Sequence, residues 1–244
     1  MTAQALDPLR PVRHPIAFVV LGICGIALTL ALGIAVTHST AWAHEETGVL
    51  SAIAAMRVPA AVGLAAFIAW LFSPPIATVL TLLLAIAIGV MSRSFKRALV
   101  FGVVVAVCWA GSETMKLVVQ RPRPQLSSSA IATPTSFSFP SGHTAFACAL
   151  VIALLFTLRD WRLRWVAWLL GVVVVLLVAW SRMYLGVHFP TDVLASVLLT
   201  VSLGGVVIPL VVNASLPALF GRPGAERKRP GTEGAIHGSN QRSR

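Results

Sequence analysis

The chain has 244 residues, 57% of them hydrophobic and only 11% charged, whereas a soluble domain carries about a quarter charged. This excludes an ordinary soluble domain and predicts an integral membrane protein. The net charge of +11 would suit a nucleic-acid binder, but its distribution excludes that partner. Fourteen of the nineteen Lys and Arg residues fall in four clusters: Arg10 with Arg13; Arg93, Lys96 and Arg97; Arg159, Arg162 and Arg164; and a C-terminal group that starts at Arg222. Basic clusters beside apolar spans stay on the cytoplasmic side of a membrane.

Six apolar runs of roughly 15–21 residues follow one another at residues 16–36, 76–91, 99–119, 144–158, 165–180 and 193–212; a bilayer span takes about 20, fewer where its ends lie in protein or at the interface. With the N-terminus inside, six crossings bring every basic cluster to the cytoplasmic side. The expected fold is all-α, a bundle of six transmembrane helices. Residues 1–15 form a cytoplasmic tail, 16–215 the six-span domain, and 216–244 a basic, disordered cytoplasmic tail. The stretch 49–72 is apolar, but Arg57 and Pro59 interrupt it and Ser73-Pro74-Pro75 closes it. As a full span it would carry two basic clusters outside. It is read as one or two short helices at the outer interface, with a seventh span as the alternative. Ala41-x-Ala43 looks like a cleavage site, but the apolar run before it is longer than a signal-peptide core, so an uncleaved first span is expected. Cys24, Cys108 and Cys148 have no disulfide or zinc-site spacing and are read as small buried hydrophobes.

Only Arg57, Lys116, Arg121, Arg123 and Arg182 lie outside the basic clusters. The topology brings three polar segments to the outer face: Lys116 to Pro124, Pro140-Ser141-Gly142-His143, and Ser181 to Asp192. Ionisable groups at membrane depth are costly and mark function. Lys116, Arg123 and Arg182 would repel one another unless an anion lay between them. Ser141 is a plausible helix N-cap, and the backbone N–H groups near Gly142 can face an anion with the helix dipole behind them. A phosphate group suits this set, since arginine donates to its oxygens in pairs.

His188 and Asp192 are four residues apart at the start of the last run. Asp192 can accept from one ring nitrogen of His188, leaving the other free to attack phosphorus. His143 can then protonate the leaving oxygen and later serve as base toward water. Two histidines and an aspartate are also zinc ligands, but three neighbouring cations disfavour a dication there. Glu113, three residues before Lys116, is read as its structural ion-pair partner. Arg57 and Arg121 are read as interface anchors.

These segments resemble the three-part signature of the type-2 phosphatidic acid phosphatase superfamily of membrane lipid phosphatases. Lys116 is followed after six residues by Arg123-Pro124. Pro140-Ser141-Gly142-His143 is intact, and Ser181-Arg182 is followed by His188 and Asp192 at the family's spacing. The resemblance implies that His188 is the nucleophile, Asp192 its orienter and His143 the general acid. Lys116, Arg123, Ser141, Gly142 and Arg182 would hold the phosphate. It further implies a metal-independent reaction without a cofactor. The substrate would be a lipid phosphate or diphosphate: an isoprenyl diphosphate, phosphatidylglycerophosphate or phosphatidic acid. A lipid phosphotransferase and a non-catalytic lipid-phosphate-binding protein are the alternatives. The expected location is the cell membrane, with the site on the outer side and both termini cytoplasmic; the oligomeric state is left open.

Overall fold

Proline and serine set most of the helix starts. Helices α1 (Pro15–His38), α3 (Pro59–Leu71) and α4 (Pro74–Ser92) open on proline, whose fixed φ and missing N–H suit a first turn. Helices α2 (Thr40–Ala55) and α5 (Phe95–Val119) follow Ser39 and Ser94, whose hydroxyls accept from Trp42 N at 3.2 Å and Arg97 N at 3.3 Å. Helices α6 (Gly142–Thr157), α7 (Arg164–Tyr184) and α8 (Pro190–Asn213) complete the order. The computed structural model describes residues 9, 11–126, 129–131, 134–158 and 164–213, and among them there is no strand. Arg159 and Arg162, and the tail beyond 213, lie outside the described residues.

Each of the six apolar runs contains a helix, but five of the helices are long and apolar enough to cross a membrane: α1, α4, α5, α7 and α8. The exception is α6. Its sixteen residues span about 24 Å at 1.5 Å per residue, short of a hydrocarbon core of roughly 30 Å. It is instead the most enclosed helix, with ten of its sixteen residues buried. Phe146, Ala149, Leu150 and Ala153 of α6 pack with Phe101, Val104, Val105 and Cys108 of α5 in the main core. By contrast α4 leaves Leu82, Leu83, Ile86 and Val90 exposed, an apolar surface that suits lipid rather than water. Helices α1 and α8 approach so closely that a Cβ on Gly22 would sit 2.5 Å from the Ser202 carbonyl oxygen. Only glycine permits that contact.

The bundle has two different ends. At one, α5 and α7 finish while α6 and α8 begin. At the other, buried Arg97 donates from Nη1 to the Thr157 carbonyl in the last turn of α6 at 2.6 Å, satisfying a helix-terminal acceptor. Asn213 there exchanges hydrogen bonds of 2.8 and 3.0 Å with the Val12 backbone.

The segment 49–72 is broken at Arg57–Pro59, as its sequence suggested, and contributes to two short helices. Both ends of α3 lie at the end where α6 and α8 begin. Arg57 Nε donates to the Tyr184 carbonyl at 2.6 Å, and Val58 N to the Tyr184 hydroxyl at 3.0 Å. Phe72 meets Phe146 edge-on at 6.0 Å. Arg57, expected as an interface anchor, therefore clamps the α2–α3 turn to the end of α7.

Candidate active site

The end of the bundle that gathers four helix termini also gathers the three polar segments. A cavity of about 370 Å³ opens among them, lined by Lys116, Arg123, Gly142, His143, Arg182 and His188 together with Glu113, Ser136, Phe72, Pro74, Trp109 and Pro134. Six of the eight residues singled out by the sequence thus face one space. The other two, Ser141 and Asp192, are fully buried behind it.

Arg123 is held by carbonyls. Its Nε donates to Ser136 O at 2.7 Å and its Nη1 to Val187 O at 2.8 Å, while Nη2 reaches Ser136 Oγ at 3.0 Å. Nη1 also lies 3.0 Å from His188 Nε2. A guanidinium can only donate, so Nε2 is the accepting nitrogen and the ring proton sits on Nδ1. Nδ1 faces Asp192 Oδ2 at 3.4 Å, an ion-pair distance that falls short of a well-formed hydrogen bond. Burial above all, then the charges of Arg123, Arg182 and Lys116, hold the His188 imidazole well below its ordinary pKa, against a smaller opposing pull from the Ser138 backbone. The ring is neutral at physiological pH, with its Nε2 lone pair turned to the cavity side.

The cations are unequally compensated. Lys116 Nζ pairs with Glu113 Oε1 at 2.7 Å, as the spacing suggested, and that carboxylate is half exposed. Arg182 is buried with its Nε lacking any hydrogen-bond partner. Such an orphaned donor is costly, and an anion in the cavity would relieve it. Gly142 faces the same pair, since a Cβ there would lie 2.6 Å from Glu113 Oε1 and 2.8 Å from Lys116 Nζ.

Ser141 does occupy the N-cap position of α6, but its side chain makes no cap bond. Its hydroxyl accepts from Thr144 Oγ1 at 3.1 Å, its N–H donates to the Asp192 carbonyl at 3.2 Å, and its carbonyl accepts from Ser196 Oγ at 2.9 Å. It ties α6 to α8.

Asp192 is gripped on both oxygens. Oδ2 accepts from Ser138 Oγ and, at 2.8 Å, from Phe189 N. The second bond is the return half of a capping box at the start of α8. Oδ1 accepts from Arg121 Nη1 at 2.8 Å. Arg121, expected as an interface anchor, is therefore a buried residue. Gln120 ends α5 in the left-handed conformation (φ 52), and Arg121 follows that turn toward the start of α8. There it also bonds Thr191 Oγ1 at 2.7 Å and Glu46 Oε2 at 2.6 Å, with its guanidinium 4.1 Å from the Phe189 ring centroid. Glu46 was not singled out by the sequence. Its only early signal is that it is one of eight acidic residues in a chain of this composition.

Comparison with known proteins agrees with this geometry. The PAP2 superfamily model matches residues 95–215. An undecaprenyl-diphosphatase of Sulfolobus acidocaldarius is 42% identical over 66 residues, 27% of this chain and 30% of its own length. Undecaprenyl-diphosphatase BcrC of Bacillus subtilis is 32% identical over 126 residues, 50% of this chain and 62% of the relative. Phosphatidylglycerophosphatase B of the same organism is 34% identical over 88 residues, 34% and 42% of the two chains. This chain thus spans less than two thirds of the length of each of these curated relatives. The crystal structure of a transmembrane PAP2-type phosphatidylglycerolphosphate phosphatase from Bacillus subtilis superposes with a TM-score of 0.67 at 23% identity, over 80% of this chain and 94% of the other. That likeness, with five long apolar helices, makes the chain an integral membrane protein of this fold.

Proposed function

We propose that the chain is a membrane lipid phosphatase of the PAP2 type, acting through a phosphohistidine at His188. The observation that carries this reading is His188 itself: neutral, its Nε2 an acceptor at the cavity, with three cations about it and Asp192 behind it. The phosphoryl group lies among Lys116, Arg123 and Arg182, with the N-terminal amides of α6 at Gly142. Arg123 Nη1 shifts from Nε2 to a phosphoryl oxygen. Nε2 attacks phosphorus, the bond to the leaving oxygen breaks, and His143 delivers a proton to that oxygen. The ring becomes cationic and Asp192 stabilises it. Water then attacks phosphorus with His143 as base, the P–N bond breaks, and inorganic phosphate leaves. Ser141 serves by anchoring the amide end of α6.

The lipid tail leaves the cavity beside Phe72, Pro74 and Trp109, the apolar part of its wall. The substrate is a lipid phosphate or diphosphate, and isoprenyl diphosphates lead, with phosphatidylglycerophosphate and phosphatidic acid behind them. The names of two relatives, both undecaprenyl-diphosphatases, support that order.

In this reading residues 16–215 form a six-span domain in the cell membrane, with 1–15 and 216–244 as cytoplasmic tails. Helix α6 is the sixth span, enclosed by the others, so its short length leaves the site recessed below the outer surface. Helices α2 and α3 lie at that outer face; both ends of α3 meet the site end of the bundle, at Tyr184 and at Phe146. Arg93, Lys96 and Arg97 lie at the opposite end, as cytoplasmic residues should.

The test is phosphate release from undecaprenyl diphosphate, phosphatidylglycerophosphate and phosphatidic acid in detergent, with EDTA present, for wild type and His188→Ala. Release by wild type alone is expected. Release that EDTA abolishes, or that His188→Ala retains, contradicts the mechanism.

A further inference from the structure

We propose that Glu46 is a positioning residue for the nucleophile, acting on His188 through Arg121 and Asp192. The inference rests on the reading of His188 as nucleophile. Glu46 lies on α2, outside the matched residues 95–215, yet it closes the far side of the group that holds Asp192. Arg121 spans the two carboxylates, with Nη2 on Glu46 Oε2 at 2.6 Å and Nη1 on Asp192 Oδ1 at 2.8 Å. Thr191 completes a ring. Its N–H donates to Glu46 Oε1 at 2.7 Å, and its hydroxyl donates to Glu46 Oε2 at 3.0 Å. All three charged side chains are buried, so their charges act on one another with little screening.

The charges in this group show what Glu46 adds. Arg121 and Asp192 alone would make a neutral pair, with the carboxylate's charge drawn toward the guanidinium and away from the imidazole. The second carboxylate leaves the group with one net negative charge, so Asp192 keeps its potential toward His188 Nδ1. It also fixes direction. With Nη2 held by Glu46 and Phe189 beside the plane, Nη1 has one orientation toward Asp192. The other Asp192 oxygen is held by Ser138 and Phe189 N, so the edge it turns to the ring is set. The phosphorylated imidazole is cationic and gains most from this, which places the effect in turnover rather than in substrate binding.

The alternative role for Glu46 is to fasten α2 to α8, and kinetics separates the two. Phosphate release by the full-length protein in detergent is measured on undecaprenyl diphosphate and phosphatidylglycerophosphate, for wild type, His188→Ala, Glu46→Gln, Glu46→Asp, Arg121→Lys and the Glu46→Gln/Arg121→Lys double variant. Outer hydrogen-bond partners of metal-bound histidines are worth about 10–100-fold, and Glu46→Gln is expected to lower kcat by about tenfold on the same logic. KM and the inhibition constant of inorganic phosphate stay within about twofold, since ground-state binding is untouched. Glu46→Asp recovers part of the loss. The double variant is no slower than Arg121→Lys, because both act through one chain of bonds. Wild-type kcat in Glu46→Gln, a parallel loss of phosphate inhibition, or additive losses in the double variant would overturn the inference alone. No release by wild type would overturn the phosphatase reading and this inference with it.

Discussion

Arg121 and Arg123 are two residues apart, both buried, and their hydrogen-bond partners differ in charge. Arg121 meets two carboxylates, a hydroxyl and an aromatic face. Arg123 meets two carbonyls, a hydroxyl and a neutral histidine, with Arg182 close enough to be affected by its charge. A buried cation whose charge is already balanced belongs to the frame. One whose hydrogen-bond acceptors are all neutral keeps more of its charge available to an anion. The same chain turn therefore carries one arginine into an ion-pair network and the other to the cavity wall.

The variants that test this contrast range from abolished chemistry to a change in pH response. His188→Ala should lower phosphate release by at least about a thousandfold, as expected when a covalent nucleophile is removed; initial rates in detergent measure it. The two arginine environments should then respond in opposite ways. Arg121→Met leaves two buried carboxylates without their cation and should cost about 3–5 kcal/mol of stability. Arg182→Met removes an uncompensated charge and should leave thermal stability equal or higher, while kcat/KM falls by about a hundredfold through loss of transition-state charge stabilisation. Thermal unfolding and kinetics on the same two variants check the contrast. Equal destabilisation in both would erase it.

Gly142→Ala probes the floor of the cation site. Its new Cβ would displace the Lys116–Glu113 pair, and an approximately tenfold rise in KM is expected, or about 1.4 kcal/mol of lost binding. The smallest effect is in pH. Because His188 has a folded-state pKa well below its unfolded value, the unfolded chain binds the extra proton first. The associated stability is complete above about pH 6.5 and declines as pH falls toward the folded-state pKa. Between pH 6.5 and 5.5 the loss is about 1 kcal/mol. His188→Asn should remove that share of the slope, as comparison of unfolding curves at the two pH values will show.

Much of this was legible in the chain. Each of the six apolar runs contains a helix, and the spacing from Lys116 to Asp192 named six residues that line one cavity. Long apolar periodicity and motif spacing are local signals, and both survive folding. What was not legible depends on where a side chain turns after a helix ends. Arg121 reads as an interface anchor because it follows a span. A single left-handed residue, Gln120, turns the chain there, and Arg121 lies inside. Glu46 is unreadable for a related reason: its partners lie 75 and 145 residues away, and nothing in its own neighbourhood announces them. Ser141 sits at the expected helix start, but its hydroxyl is taken by Thr144, a competition that spacing does not reveal. The run 144–158 reads as a span like the others, but its helix has sixteen residues and neighbouring helices enclose most of them.

The proposed phosphohistidine at His188 is open to direct capture. The measurement that tests it most directly is rapid quenching of His143→Asn protein during turnover of a radiolabelled diphosphate lipid, followed by peptide mapping under alkaline conditions. Removing the base that activates water slows breakdown of the phosphoenzyme more than its formation from a diphosphate, whose leaving group needs little protonation. Acid-labile, alkali-stable label is expected on the peptide containing His188, with none in the His188→Ala background. Label on another residue, or active turnover with no labelled protein at any time, would contradict it.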